Sequence, residues 1–157
     1  MAHAEELFPI LSEAKLYEFI DGGPPESIED LRQRLSRSES RKSPDGTEHW
    51  LNWVVRNAAG QAVGCVQATI AADLETNVAY TIGSTHWGRG IARQAVNQML
   101  GIVSAQFSVK KFFVVAERQN VRSVRLAESL GFSAATAEQC HKRAISTTEV
   151  CMQKVLP

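Results

Sequence analysis

The sequence has no excess of charge of either sign, because 17 Lys and Arg residues balance 17 Asp and Glu residues in a chain of 157. Proteins that hold nucleic acid by its phosphates usually carry a basic excess, so the balance argues against that partner. No apolar run has membrane-spanning length. Glu5, Glu6, Glu13 and Lys15 interrupt the first twenty residues, unlike the apolar core of a secretory signal. We therefore expect a cytoplasmic protein without a membrane partner.

Cysteine is scarce, and its spacing does not suggest a metal site. Cys65, Cys140 and Cys151 are far apart and odd in number, without the paired spacing of metal ligands. We expect free thiols, buried or half-buried, in a reducing compartment, and no metal. Repeats, low-complexity tracts and long linkers are also lacking, and the length suits one domain over residues 1–157.

Hydrophobic periodicity predicts two helices, three strands, a helix, a strand, a helix and two strands. Leu16, Phe19 and Ile20 indicate a first helix, and Ser27 is placed to cap the second. The predicted strands are residues 49–56, 62–71, 76–82, 111–116, 133–141 and 147–154. The last two helices are predicted from Ala92 to about residue 103 and over residues 121–130. The strand–helix–strand unit implies one parallel pair in a mostly antiparallel sheet. We expect an α+β fold of about six strands, with four helices on both faces.

A glycine-containing loop joins the third predicted strand to the strongest predicted helix. Gly88 and Gly90 lie at the entry of that helix, where glycine lets the backbone approach a bulky anion. The free N–H groups and the dipole of a helix N-terminus favour phosphate. The loop therefore predicts a pyrophosphate cradle, although a plain strand-to-helix turn also fits it.

Two other phosphate-binding patterns fit the loop poorly. A Walker loop requires Gly-Lys-Ser/Thr at the helix entry, where this sequence has Gly90, Ile91 and Ala92. A dinucleotide fingerprint requires a third glycine where Arg93 stands, and an acidic residue about twenty positions later, which is missing.

Two motifs in the expected order resemble the GNAT superfamily of N-acetyltransferases. Residues 87–92, Trp-Gly-Arg-Gly-Ile-Ala, are similar to its acetyl-CoA loop, Q/R-x-x-G-x-G/A, with Trp87 in place of Gln or Arg. In the branch that includes the ribosomal-protein N-acetyltransferases, the loop often begins with Trp. Residues 120–132 resemble that branch's N-x-x-S-x-x-L/V-x-x-x-x-G-F helix. The resemblance covers about residues 50–154, and the family usually has an N-terminal edge strand that is short or absent here.

The resemblance implies a site for acetyl-CoA as co-substrate. The arm of the cofactor would lie between two splayed strands, residues 76–82 and 111–116, with its pyrophosphate on the loop. The residues implied to bind it are Ile82, Gly83, Trp87, Gly88, Arg89, Gly90, Ile91, Ala92, Asn120 and Ser123.

The catalytic residues are harder to predict. Many family members place a tyrosine acid for the thiolate where this sequence has Ala127. Ser123 or water is the substitute, although a thiol of modest pKa needs no dedicated acid. An amine nucleophile needs a base. Glu117 is the first candidate; Asp73, Glu75 and His86 are the others, and each is equally consistent with an ordinary solvated side chain.

The acceptor is an open question at this stage. Residues 21–25, Trp50 and Trp53 are candidates for the acceptor side, and core packing is the alternative for both tryptophans. The acceptor is a peptide N-terminus or a small-molecule amine. A non-catalytic acyl-CoA-binding module is the alternative function. A third hypothesis, nucleic-acid binding through the basic residues 32–42, is disfavoured by the zero net charge. A homodimer is typical of the fold.

Overall fold

The computed structural model describes residues 3–157 as a six-stranded sheet flanked by α-helices. Within that range the helices are α1 Ala4–Leu11, α2 Ile28–Ser36, α3 Ile91–Phe107, α4 Val121–Ser129 and α5 Ala137–Lys142. The strands are β1 His49–Arg56, β2 Ala62–Ile70, β3 Glu75–Ile82, β4 Lys111–Glu117, β5 Ser133–Ala134 and β6 Glu149–Val155. Short 3-10 turns occur at Ala14–Tyr17 and Ser84–His86. None of these helices is long and apolar enough to cross a membrane.

The sheet is antiparallel except at one place, where it opens. Its strand order is β1-β2-β3-β4-β6-β5, and only β3 and β4 pair in parallel. That pairing is confined to residues 75–77 of β3 and 111–113 of β4. Both strands continue beyond it, to Ile82 and Glu117, without pairing with each other. This confirms the predicted α+β fold and the predicted slot between the two strands.

The helices cover both faces of the sheet. Val54 and Cys65 pack against α1 and α2, whereas their chain neighbours Val55 and Val66 belong to the cluster that contains α3. Successive residues of a strand point to opposite faces, so α1 and α2 lie on one face and α3 on the other. Helix α3 presents the predicted apolar stripe, with residues 96, 99, 100 and 103 buried.

The first helix lies earlier in the chain than the sequence predicted. Ala4, Leu7 and Leu11 are buried along α1, whereas Leu16 lies in a 3-10 turn and Ile20 is exposed. Pro9 lies inside α1, and it made this helix hard to predict because proline usually ends a helix. Packing of α1 against α2 and β2 outweighs that local cost, since tertiary contacts supply most helical stability. No edge strand precedes α2 in the described residues.

The segment 133–141, predicted as a strand, is mostly helical. Only Ser133–Ala134 pair with β6, and α5 follows as the fifth helix. Thr136 begins it with a capping box, in which its hydroxyl accepts the N–H of Gln139 and the Gln139 side chain accepts the N–H of Thr136. The Thr-x-x-Gln pattern was the signal in the sequence.

The other local predictions are confirmed. Ser27 caps α2 by accepting the Asp30 N–H at 3.1 Å, and residues 57–60 turn β1 into β2. Gly131 follows α4 with a positive φ of 84°. The three cysteines are free; Cys151 is buried and the other two are half-buried.

Candidate active site

A cavity of about 450 Å³ occupies the place where β3 diverges from β4. The C-terminal half of β3 forms one wall, and the first turns of α3 and α4 form the others. The segment 15–20 adds a largely apolar wall through Leu16, Phe19 and Ile20. Eight of the ten predicted cofactor-binding residues line this cavity: Ile82, Trp87, Gly88, Gly90, Ile91, Ala92, Asn120 and Ser123. Gly83 and Arg89 do not line it.

The loop before α3 presents bare backbone to the cavity. Gly88 and Gly90 have φ values of +73° and +74°, which side-chain-bearing residues rarely adopt, and nothing lies within 4 Å of where a Cβ would stand. No side chain caps α3, so the N–H groups of its first turn lack intrahelical partners. Together with the positive end of the helix dipole, these donors can attract an anion.

The Trp87 side chain hydrogen-bonds back to β3, and two cations lie over its ring. Its indole N–H donates to the Ile82 carbonyl at 2.6 Å. The Arg122 guanidinium lies 3.8 Å from the centre of a Trp87 ring, and the Lys15 ammonium lies 5.2 Å from it. Both cations also line the cavity. The indole therefore does not present its N–H to an anion, but it holds two positive charges beside the anion cradle.

The β3 wall offers unpaired backbone to the slot. Gly83 donates its N–H to Val63 at 2.9 Å, so alternation along the antiparallel β2–β3 pair turns the backbone of Ile82 and Tyr80 away from β2. The Ile82 carbonyl is occupied by Trp87, which leaves its N–H facing the slot. The Gly83 N–H is turned toward β2 instead.

The α4 wall brings hydroxyl and amide groups to the slot. Asn120 caps α4, because its side-chain oxygen accepts the Ser123 N–H at 3.2 Å. Its amide NH₂ has no partner among residues 3–157, and it lines the cavity. Ala127, where many family members have a tyrosine, is fully buried. Its methyl side chain offers no polar group to the slot.

Tyr80 is a cavity residue that the sequence analysis missed. Its hydroxyl reaches from β3 to α4, 2.9 Å from the Ser123 hydroxyl and 3.1 Å from the Ser123 carbonyl oxygen. Burial raises the pKa of this phenol, although the hydrogen bond with Ser123 partly opposes the shift. The alternation of residues along a strand places Tyr80 on one face of the sheet, but it gives no sign that the side chain reaches α4.

Two candidate bases stand at or after the ends of the splayed strands. Glu117 ends β4 and accepts a hydrogen bond from Thr148 at 3.1 Å; its side chain is half-buried. His86 belongs to the 3-10 turn after β3. Neither residue lines the cavity itself.

The other two candidate bases are committed to ion pairs. Glu75 pairs with Lys142 and Arg143, each at 2.9 Å, and Asp73 also pairs with Lys142. Burial raises the pKa of Glu75, but the hydrogen bonds from Lys142 and Arg143 outweigh it, and the net shift is downward. The hydrogen bond from Lys142 lowers the pKa of Asp73. These carboxylates attach α5 to the sheet and are poor bases.

The residues proposed for the acceptor side lie elsewhere. Trp53 packs against the main core, as core packing predicts. Trp50 is half-buried and donates its indole N–H to Glu48 at 2.9 Å. Neither tryptophan lines the cavity between β3 and α4, nor do residues 21–25. In the basic run, Arg32 pairs with Glu5 and Glu29, and Arg34 pairs with Asp30.

A family model described as an acetyltransferase (GNAT) domain matches residues 1–133. The chain therefore belongs to the GNAT acetyltransferase family, and it is an acyltransferase. No curated protein matches the sequence significantly.

Solved structures of acetyltransferases share the fold at low identity. A GNAT-family acetyltransferase from Bacillus anthracis has a TM-score of 0.76 at 13% identity, with 98% of this chain and 89% of that one covered. Spermidine N-acetyltransferase from Vibrio cholerae, in complex with CoA and spermine, has a TM-score of 0.73 at 16% identity, with 99% and 89% covered. Aminoglycoside acetyltransferase AAC(6')-Ib, in complex with coenzyme A, has a TM-score of 0.73 at 14% identity, with 98% and 90% covered.

Proposed function

We propose that the protein transfers an acetyl group from acetyl-CoA to a primary amine, by direct attack of the amine in a ternary complex. The observation that carries the proposal is the continuity of one cavity. It begins at the anion cradle formed by Gly88, Gly90 and the N-terminus of α3 and continues to Ser123 at the slot between the splayed strands. A diphosphate attached to a narrow polar arm fits that shape.

The residues of the chain fit acetyl-CoA, which when bound supplies the acetyl thioester. Backbone N–H groups of residues 88–92 would hold the diphosphate, with Lys15 and Arg122 adding positive charge. The Ile82 N–H and the Asn120 amide would hydrogen-bond the amide groups of the arm. A backbone N–H on the unpaired edge of β3 would donate to the oxyanion of the tetrahedral intermediate.

The amine must lose a proton before it attacks. Glu117 is the carboxylate that we propose as the base, acting directly or through water, because it ends the strand that forms the far edge of the slot. Asp73 and Glu75 are held in ion pairs, which leaves Glu117 and His86 from the sequence candidates.

The acceptor is a protein or peptide N-terminus or a small-molecule amine. The spermidine and aminoglycoside enzymes act on small-molecule amines. In this chain the Trp87 loop and the α4 pattern resemble those of the ribosomal-protein branch, and this resemblance favours a peptide N-terminus. A cytoplasmic location and a homodimer remain part of the proposal.

A non-catalytic acyl-CoA-binding module is the second candidate. Two observations favour it: Ala127 stands where many relatives have a tyrosine, and no carboxylate of the described residues lines the cavity. Such a module would bind acetyl-CoA in the same cavity but would not catalyse acetyl transfer.

The direct test is release of free CoA thiol from acetyl-CoA in the presence of amines. The panel contains peptides with free N-termini, spermine and an aminoglycoside, and mass spectrometry identifies the acetylated product. We expect turnover with at least one peptide, and its loss in Gly90→Glu. Gly46→Glu is the matched control, because Gly46 has the same φ of +74° and equally open surroundings in a distant turn. Binding of acetyl-CoA with no turnover on any amine would favour the non-catalytic module.

A further inference from the structure

Two hydroxyl groups meet across the slot, one from each wall. Tyr80 belongs to β3 and Ser123 to the first turn of α4, and their oxygens are 2.9 Å apart. Both residues line the cavity. The contact joins β3 to α4 across the cavity.

The pair allows two patterns of hydrogen bonding. In one, Tyr80 donates to the Ser123 carbonyl at 3.1 Å, and the serine hydroxyl donates back to the phenol oxygen. In the other, Tyr80 donates to the serine hydroxyl oxygen at 2.9 Å, and the serine hydrogen is free to point into the cavity. An anion in the cavity selects the second pattern, because only that pattern offers it a donor.

We propose that Tyr80 is a positioning residue that turns the Ser123 hydroxyl toward the sulfur of CoA, so that Ser123 donates a hydrogen bond to the thiolate as it leaves. The inference rests on the proposed function. It gives this pair of residues, on opposite walls, the role that a tyrosine plays in many family members, where this chain has Ala127.

Neither hydroxyl loses its proton during acetyl transfer. The amine nitrogen forms a bond to the carbonyl carbon of the thioester and gives up a proton to the base or to water. The C–S bond breaks, and the sulfur keeps its electron pair as a thiolate. Ser123 stabilises that charge by a hydrogen bond, and the thiolate later takes a proton from water.

The chemistry of the two groups suits a donor better than an acid. A thiol has an ordinary pKa of about 8.5 and a phenol one of about 10. Burial raises the pKa of Tyr80 further above that of a thiol. Tyr80 therefore keeps its proton wherever the thiolate forms, and it remains a donor to Ser123 throughout the reaction.

Removal of the phenol hydroxyl would release the serine. A serine near a helix N-terminus readily donates to a carbonyl of the preceding turn instead. In Tyr80→Phe, Ser123 would lose the partner that holds its oxygen and turns its hydrogen to the cavity. Ser123→Ala would remove the donor itself.

The test is the pKa of the thiol of CoA bound to the protein, followed by the ultraviolet absorbance of the thiolate. Calorimetry first shows that CoA binds to each protein. A hydrogen bond to the charged form lowers a pKa, so we expect the pKa of the bound thiol to be about one unit higher in Tyr80→Phe and in Ser123→Ala than in the wild type. The double variant should match the single ones, because the two residues act as a unit.

Tyr17→Phe is the matched control, because Tyr17 is the second of the two tyrosines and donates its hydroxyl to the Leu11 carbonyl at 2.8 Å. It should leave the thiol pKa unchanged. In turnover, Tyr80→Phe should lower kcat and leave the KM for acetyl-CoA unchanged, as for an interaction made only in the transition state.

Three outcomes separate the proposals. Normal CoA binding with an unchanged thiol pKa in Tyr80→Phe overturns the positioning role of Tyr80 and leaves the proposed function standing. Failure of the wild type to bind CoA overturns the proposed function, and with it this inference. If Tyr80→Phe does not fold, Ser123→Ala, in the half-buried first turn of α4, tests the donor, and an unchanged thiol pKa in that variant overturns the role of the pair.

Discussion

At the scale of single residues, the site depends on which charged groups are free. Glu75 and Asp73 form ion pairs with the two cations at the end of α5, so their charge holds that helix against the sheet. Among residues 3–157, the side chain of Glu117 has one partner, the hydroxyl of Thr148. In the same range Lys15 and Arg122 lie over an aromatic ring and pair with no carboxylate, so their charge remains available to a ligand.

Glu117→Gln tests the proposed base. A carboxylate can accept a proton from the amine, whereas the amide of glutamine cannot. We expect the variant to be about 100-fold slower or more, with a flatter pH profile than the wild type. The profile is measured by thiol release with the best acceptor, and Glu128→Gln, on the exposed side of α4, is the control. An unchanged profile removes Glu117 from the mechanism.

Lys15→Ala and Arg122→Ala test the cations on Trp87. Each variant removes one positive charge from the rim of the cradle, where a diphosphate would lie. We expect the Kd for CoA to rise about two- to five-fold in each, with a larger effect at low salt because exposed charges are screened. Calorimetry at two salt concentrations measures it. Lys110→Ala, an exposed lysine outside the cavity, should bind CoA like the wild type, and equal affinities in all four proteins would contradict the assignment.

At the scale of elements, α5 is a small helix that a cluster of ion pairs attaches to the sheet. Arg143, directly after it, is almost fully buried; its guanidinium lies 3.3 Å from the centre of the Phe113 ring and 2.9 Å from Glu75. Six residues form too short a helix to persist alone. The Glu75–Arg143 pair therefore holds this segment on β3 and β4, at the closed end of the slot.

Glu75→Gln should destabilise the protein by about 1–3 kcal/mol at neutral pH, because it leaves the buried Arg143 without its counter-charge. The folded-state pKa of Glu75 lies below its usual value. The stabilisation is thus fully present above the unfolded pKa of about 4.3, and it is lost as the pH falls through the folded pKa.

Urea unfolding at pH 7 and in acid measures this dependence. The difference between wild type and Glu75→Gln should shrink as the carboxyl becomes protonated. Glu128→Gln, which alters an exposed carboxylate, should have little effect at either pH. A constant difference across the pH range would mean that the charge of Glu75 contributes nothing.

The elements that the sequence predicted well are those with a strong local pattern. The apolar stripe of α3 and the glycines at 88 and 90 specify a helix and its entry almost without reference to the rest of the chain. Two elements depended on distant contacts or on weak signals. Pro9 disguised α1, and the short β5 together with the Thr136 capping box was read as one long strand.

The part of the site that a local sequence motif encodes could be predicted. Backbone groups that bind through a motif, such as those of Gly88 and Gly90, can be recognised from spacing. Tyr80, Lys15 and Phe19 reach the cavity only because β3, the turn after α1 and α4 meet there. No local pattern encodes such a meeting, so these residues could be found only in the folded chain.

At the scale of the whole molecule, a chain of zero net charge distributes its charge unevenly. Lys15, Arg93 and Arg122 gather around one cavity, whereas the carboxylates that balance them lie elsewhere. Such a local excess attracts an anionic ligand without making the protein generally basic.

The central claim, that α3 and its glycine loop hold acetyl-CoA, is tested most directly by thermal unfolding with and without the ligand. At a hundred times its Kd, acetyl-CoA should stabilise the wild type by about 2.7 kcal/mol. Gly46→Glu should show the same gain, and Gly90→Glu should show none. If the well-folded wild type shows no shift, or if Gly90→Glu gains as much stability as Gly46→Glu, acetyl-CoA is not held by this loop.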